Sequence, residues 1–315
     1  MSATVEFGIS PGPPSPARRS FGLARARREA LTGVLFVLPS LVLLGLFAIY
    51  PLLSSLWLSL HRRHIFARVG EFVRLDNFAA LLVDQEFWSA LGNGLIFSIS
   101  TVTLQLVIGI ATALLLNESF RGRGIVRGIV LFPFVVPTVV AVLVWKWMLN
   151  DLYGVVNLLL IRTGIVSESI LWIASPSLAM GTVVAINVWM FFPFITIHVL
   201  ARLQLVPGTL YEAACIDGAG PLQRFWYITL PQLRSTILIV LLIRAIWMFN
   251  KFDAVWLITE GGPLGRTQTL PLLAYLKAFG QYQLGSGAAV ATVIFLILAV
   301  GGTFYVRLLR EEHAV

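Results

Sequence analysis

Charge is scarce in this chain. Of its 315 residues 12% are charged, where a soluble domain of this size carries about a quarter. Mean hydropathy is +0.87, so a water-soluble globular class is excluded and a polytopic membrane protein is indicated. Cysteine occurs once, at Cys215, which excludes an internal disulfide and a cysteine-based metal site. Lysine is nearly missing as well, with 3 against 20 arginines, so the topology has to be read from arginine. A phosphate-binding loop is missing too. The nearest approach, Gly261-Gly262-Pro263-Leu264-Gly265-Arg266-Thr267, has its glycine spacing one residue short and Arg266 in place of the lysine. His61 and His64 stand three apart with no carboxylate or cysteine at ligand spacing, and His198 is isolated. No Ser/His/Asp grouping is present either, which leaves no metal or catalytic constellation.

What the chain has in quantity is apolar sequence, at 58% hydrophobic residues. A bilayer core of about 30 Å needs about 20 residues of helix. Six runs reach that length, over 31–60, 90–116, 128–149, 178–203, 235–258 and 286–308. They are continuously apolar rather than alternating, which predicts helices and not a barrel. Residues 1–30, with four prolines and an arginine cluster, are expected to be a disordered basic tail, and 311–315 a second tail. The apolar run that follows residue 30 is too long for a signal-peptide core and ends in no small-residue cleavage pattern. Pro39 and Pro51 predict a kink or break in the first span, near Pro51. The segments 61–88, 150–177 and 259–285 are the alternate connectors. The last two have room for a short surface helix each.

The net charge of +8 is distributed by loop. Arg18, Arg19, Arg25, Arg27, Arg28, Arg121, Arg123, Arg127, Arg202, Arg224, Arg234, Arg307 and Arg310 fall on one side, 13 in all, against 7 in the alternate loops. The richer side is expected to be cytoplasmic, with both termini inside. Arginine here orients a membrane protein and does not form a nucleic-acid surface.

The segment 204–231 is the most informative. Pro207-Gly208 stops the fourth span, and Thr209 with Glu212 has capping-box spacing. A helix over Leu210–Asp217 is expected, ended by Gly218 in a left-handed conformation, with Glu212 serving the helix rather than a nucleotide. Leu210, Ala213, Ala214 and Asp217 share a face. A second short helix is expected between Gly220-Pro221 and Leu230-Pro231. From these residues the loop is either a rigid lever or an amphipathic linker on the membrane surface.

Polar groups inside spans mark bundle interiors or aqueous paths. Candidates for a substrate path are Asn187, Trp189 and Phe192 in the fourth span and Arg244, Trp247, Asn250 and Asp253 in the fifth. Asn93 and Gln105 in the second span are further polar groups. Lys251 shares a helical stripe with Arg244 and Trp247, while Asn250 and Asp253 lie on a neighbouring face. Aromatic faces with amides and carboxylates suit a carbohydrate. The alternative is that these groups join helices to one another, with Arg244 and Asp253 neutralising charge within or between permeases.

Glu212-Ala213-Ala214, three residues, Gly218, nine residues, Ile228, one residue and Leu230-Pro231 resemble the EAA motif of ABC importer permeases. Asp217 and Ala219 match the common form as well. Over roughly residues 30–310 the chain is similar to the sugar-permease branch, including its maltose, trehalose and glycerol-3-phosphate members. The similarity runs through Asn77-Phe78, Leu116-Asn117, Arg121-Gly122-Arg123-Gly124, Phe132-Pro133, Trp145-Lys146-Trp147-Met148, Phe249–Asp253 and Leu257–Pro263, and it points to the first subunit of a permease pair. Lys251 stands where that branch has other polar residues.

The resemblance implies an all-α integral membrane protein with the six-helix type I importer permease fold, in the bacterial inner membrane. It implies a second homologous permease, two copies of a cytoplasmic ATPase carrying ATP and magnesium, an external substrate-binding protein and a lipid surround. The chain itself would bind no cofactor and catalyse no bond chemistry. Leu210, Tyr211, Glu212, Ala213, Ala214, Asp217, Gly218, Ala219 and Gly220 would be the surface engaged by the ATPase. A sugar or oligosaccharide is the expected cargo. Glycerol-3-phosphate or a related phosphodiester is the alternative kept open by Arg244 and Lys251, and an ion-coupled secondary transporter is the alternative of another class.

Overall fold

The computed structural model describes residues 32–312, and side chains as far as residue 307. Both expected tails fall largely outside that range. The helices are α1 (Thr32–Ser59), α2 (Asp76–Val83), α3 (Gln85–Asn117), α4 (Arg123–Val135), α5 (Thr138–Met148) and α6 (Val155–Arg162). They continue with α7 (Ala179–Leu203), α8 (Gly208–Ile216), α9 (Pro221–Phe249), α10 (Asp253–Thr259), α11 (Leu270–Gly280) and α12 (Leu284–Glu312). Five of these, α1, α3, α7, α9 and α12, are long and apolar enough to cross a bilayer. The α4–α5 pair makes a sixth if counted as one span.

The expected helices form, with four departures. The third predicted span, 128–149, is broken. Pro137 supplies no amide and forces Val136 into extended backbone (φ −71°, ψ 130°), so α4 and α5 meet at a 97° bend. The fifth does not run to residue 258. It stops at Phe249, Asn250 takes a non-helical cap geometry, and α10 starts afresh at Asp253. The connector after α1 carries a two-stranded antiparallel pair, β1 (His61–Arg62) with β2 (Glu71–Phe72), a small departure from the all-α expectation. Last, α12 continues into the expected C-terminal tail as far as Glu312.

Proline does not break α1 or α9. A π-turn over Gly45–Ile49 lies just before Pro51, with the Tyr50 amide bonded back to the Gly45 carbonyl. A second, over Phe225–Thr229, lies just before Pro231, with the Leu230 amide bonded to Phe225. Widening the helix by one residue relieves the clash between a proline ring and the carbonyl one turn back. The expected break near Pro51 is therefore a π-turn in a continuous helix. The expected short helix before Pro231 is the opening of α9.

Contacts divide the chain into residues 1–54 and 55–315. The described part of the first is the apolar N-terminal stretch of α1. In the second, α3 lies along α7 in the most extensive helix pair. The buried stripe of α3 is Gly94, Ser98, Thr101, Gln105, Gly109, Ala113 and Leu116, a run of mostly small residues at helical spacing. Lipid is as apolar as leucine, so helices in a bilayer associate through close packing at small residues rather than by exclusion of apolar surface. Three apolar clusters line this axis, and the one at the α8 end joins Ala113 and Leu116 to Ile195, Val199, Leu203 and Leu233. Short helices occur in the connectors, but α11 is not a surface element. Leu270, Leu272 and Leu273 are buried against α3 and α12.

A Cβ at Gly109 would sit 2.7 Å from Ile195 Cβ and 3.2 Å from the Phe192 carbonyl. Gly109→Val is expected to push α3 off α7 and cost about 1–3 kcal/mol, read as a lower Tm in detergent. Gly109→Val with Ile195→Ala should recover part of the loss, because the second change opens the space that the first fills. A Gly109→Val protein as stable as the parent would contradict this packing.

Candidate functional site

The loop between α7 and α9 folds as a braced helical turn. Residue Pro207, not Thr209, takes the N-cap position of α8, and no side chain caps its start. The expected capping box is absent because the helix starts at Gly208 and puts Thr209 inside its first turn. Glu212 is consequently exposed on the helix surface rather than tied back to its start. The C-terminus does follow the expectation. Gly218 has φ +79°, its amide bonds to the Cys215 carbonyl at 3.1 Å, and the Ala219 amide bonds to Ala214 at 2.8 Å. Those two bonds form a Schellman motif, which needs the left-handed residue that glycine supplies.

Two side-chain contacts then hold α8 to α9, and a third ties α7 to α9. Tyr211 Oη lies 3.0 Å from Thr229 Oγ1 in the π-turn of α9, and Arg224 Nη1 donates to Cys215 Sγ at 3.0 Å. Arg202 at the end of α7 donates to the Gln232 carbonyl at 3.0 Å. Gln223 accepts the Gly220 amide at 2.8 Å and satisfies the start of α9. Outward from this brace stand Glu212, Ala213, Ile216 and Asp217, with Ile216 87% exposed, and Leu222 beside them. Ala214, Ala219 and Gly220 are half-buried. The result is a small apolar knob on a frame bonded to both flanking spans.

In the spans, the polar candidates divide into two groups. The first is a buried node. Arg244 in α9 has no exposed surface, and its Nε and Nη2 donate to Gln105 Oε1 of α3 at 3.0 and 2.8 Å. Gln105 Nε2 in turn donates to the Asn187 carbonyl of α7 at 3.0 Å. The guanidinium also lies 4.9 Å from the Phe191 ring centroid, 5.6 Å from Phe194 and 5.7 Å from Trp247. Asn187 is buried, with its side-chain amide bonded to the Val183 carbonyl of its own helix. Arg244 therefore joins α9 to α3 through Gln105, while the Asn187 side chain bonds within α7 and only its backbone carbonyl reaches α3. Trp189 is likewise packed, edge-on to Trp145 at 5.4 Å.

The second group surrounds the α9–α10 break. Trp247 and Asn250 are exposed, and Lys251 Nζ pairs with both Asp253 oxygens at 3.0 and 3.1 Å while lying 4.6 Å from the Phe191 centroid. Within this chain Asp253 is neutralised by Lys251, and Arg244 and Asp253 do not pair with each other. The break turns Asp253 toward Lys251, and the amide oxygen of Gln105 serves Arg244 instead. Aromatic residues not singled out from the sequence complete the surroundings. Phe252, Trp256, Tyr275 and Phe279 follow in series at centroid distances of 6.1, 5.4 and 5.3 Å, the first pair stacked and the other two tilted. Tyr275 and Phe279 are exposed. They come from α11, about twenty residues away in sequence, and no periodicity marks the pairing. Phe192 is half-buried in α7.

Other polar residues fasten the connectors. Asn93 donates to the Gly265 and Gln268 carbonyls at 2.9 and 3.0 Å, and Gln268 donates to Glu86 at 2.8 Å. Lys277 reaches Asp84 at 2.8 Å. Burial works to raise the Asp84 carboxyl, but hydrogen bonds from Lys277 and the Glu86 amide outweigh it and hold the group below its usual range. His61 stacks on Trp57 at 3.8 Å, and His64 bridges backbone to Gln283.

This arrangement belongs to a described family. The model for "Binding-protein-dependent transport system inner membrane component" matches residues 105–311, and the chain is a member of that family, a multi-pass ABC transporter permease. It is 38% identical to the trehalose/maltose transport system permease protein MalF of Thermococcus litoralis, over 86% of this chain and 91% of that one. It is 33% identical to the sulfoquinovosyl glycerol transport system permease protein SmoG of Agrobacterium fabrum, over 90% and 92%. The fold matches a chain of a bacterial ABC transporter involved in import of the acidic polysaccharide alginate, with a TM-score of 0.80, 22% identity and coverage of 92% and 98%.

Removing the acceptor of a buried guanidinium leaves an uncompensated charge, at a cost of about 3–5 kcal/mol. Gln105→Leu should therefore lower the detergent Tm sharply. Arg244→Met with Gln105→Leu should regain most of the loss, since an apolar pair needs no partner. Equal stability of Gln105→Leu and the parent would show that the node holds nothing together.

Proposed function

We propose that the chain is one permease of an ABC importer for a carbohydrate. It would form the membrane path together with a second homologous permease. An external binding protein delivers the cargo, and two ATPase copies, which hold ATP and its magnesium ion, drive the cycle. The side bearing the α8 loop is cytoplasmic in this scheme, along with both chain termini, which the arginine distribution supports.

The observation that carries the reading is the braced α8 knob. When the ATPase dimer closes, a helix seated in its surface moves with it. The bonds from Tyr211, Arg224 and Arg202 pass that motion to α7 and α9 instead of letting the loop bend. The Arg244–Gln105 node sits between those same two helices and α3, so the three move as a packed unit. Cargo preference follows the relatives. MalF of T. litoralis is named for trehalose and maltose, SmoG for sulfoquinovosyl glycerol, and a diacetylchitobiose uptake permease of Streptomyces coelicolor is 32% identical over 98% of the chain. The exposed ring faces near Asn250 give such a cargo stacking surfaces and an amide. An ion-coupled cycle would need a carboxylate free to exchange protons, and Asp253 is engaged by Lys251.

The loop is testable at Gly218. No atom lies within 4 Å of an added Cβ there, so only the backbone resists. A β-branched residue in that conformation costs on the order of 1–2 kcal/mol, about tenfold in an equilibrium constant. In proteoliposomes, Gly218→Val should insert normally yet lose most uptake and the stimulation of ATP hydrolysis by loaded binding protein. Gly218→Asn, which tolerates the left-handed region, should stay coupled. Normal coupling in Gly218→Val would remove the lever from this account.

A further inference from the structure

We propose that the Lys251–Asp253 pair is a charge screen that makes the exposed α9–α10 surface a path for uncharged carbohydrate, with Asp253 the residue that sets the exclusion of anions. The proposal rests on the importer reading above and adds the charge class of the cargo. Two cations in this part of the chain, Arg244 and Lys251, could in principle attract an anionic substrate. The structure takes both out of use by different means. Arg244 is fully buried against Gln105 and three rings. Lys251 lies close to the surface, with 15% of its side chain exposed. Asp253, 47% exposed, covers its ammonium with both carboxylate oxygens.

Residues two apart do not face each other on a helix. In an unbroken α9 this pair would be splayed, and Lys251 would extend the stripe of Arg244 and Trp247. The interruption at Asn250–Phe252 folds Asp253 back over the ammonium. It also settles Lys251 on the face of Phe191, the ring that Arg244 approaches as well, at 4.6 and 4.9 Å. What remains outward is Trp247, Asn250, Tyr275 and Phe279, which offer ring faces and an amide but no unpaired charge. Such a surface binds a sugar by its C–H faces and hydroxyls. A uronate or phosphate would lose hydration there and gain no cation in return.

The test uses the complete reconstituted importer with its binding protein. ATP-dependent uptake of labelled maltotriose is measured with and without excess trigalacturonate or triglucosamine. Uptake by the parent should be insensitive to both competitors. Asp253→Asn uncovers Lys251, and trigalacturonate should then inhibit by about fivefold, the effect of one unit charge about 4 Å away in fully hydrated surroundings. Lys251→Gln leaves Asp253 uncovered, and triglucosamine should inhibit instead. Lys251→Gln with Asp253→Asn, and the exchange Lys251→Asp with Asp253→Lys, should both return to insensitivity. This reciprocal pattern would not follow from a merely structural ion pair.

The screen is overturned if neither single variant gains sensitivity, or if the double variants keep it. Should one single variant fail to assemble, the other and the exchange variant decide alone. Parent uptake that continues without ATP would refute the importer reading instead. Parent uptake of trigalacturonate in preference to maltotriose would overturn the screen and leave that reading standing.

Discussion

Arg244 brings a permanent positive charge into the middle of a helix bundle, and the rest of the packing is arranged around keeping it there. A charge in that position needs hydrogen-bond acceptors and polarisable neighbours, because the Arg244 side chain has no surface exposed to bulk water. Gln105 supplies the acceptor, and Phe191, Phe194 and Trp247 supply ring faces. Since Gln105 belongs to α3, Arg244 to α9 and the carbonyl that orients Gln105 to α7, the charge can be satisfied in one relative placement of those helices. The small-residue stripe of α3 allows the approach, and the node fixes the register.

A transporter driven from outside its own chain needs parts that do not yield under load. Here Pro51 and Pro231 are each preceded by a π-turn, so α1 and α9 remain continuous through them. The π-turn of α9 also presents Thr229 to Tyr211, so one irregularity both absorbs a proline and braces the α8 knob. Where continuity is not needed, at Pro137 and at Asn250–Phe252, the chain bends or breaks outright, and the second break creates the Lys251–Asp253 pair.

Much of this was legible from sequence, for definite reasons. Apolar run length reports spans because a bilayer imposes a minimum length, and the ends of α7 fall within a residue of expectation. Gly218 was legible because a Schellman turn demands a left-handed residue. The capping box at Thr209 was not, since Pro207 starts the helix early enough to place Thr209 inside it. The break of α4–α5 was legible in principle at Pro137 but is overridden on hydropathy alone. Apolar content does not register that one missing amide and one restricted neighbour can turn a chain through a right angle.

Side-chain roles divide along the same line. Composition, run length and the loop motif determined by themselves that this is a multi-span permease with a rigid loop after α7, because those properties depend on solvent class and local backbone chemistry. Which polar residues join helices and which face outward was decided only by tertiary structure. Arg244 and Asp253 have similar sequence surroundings. One is fully buried against a glutamine 139 residues away, and the other covers a lysine two residues away because the helix between them ends. Pairing between distant helices, and the point at which a helix stops, follow from how all the spans satisfy one another's buried groups.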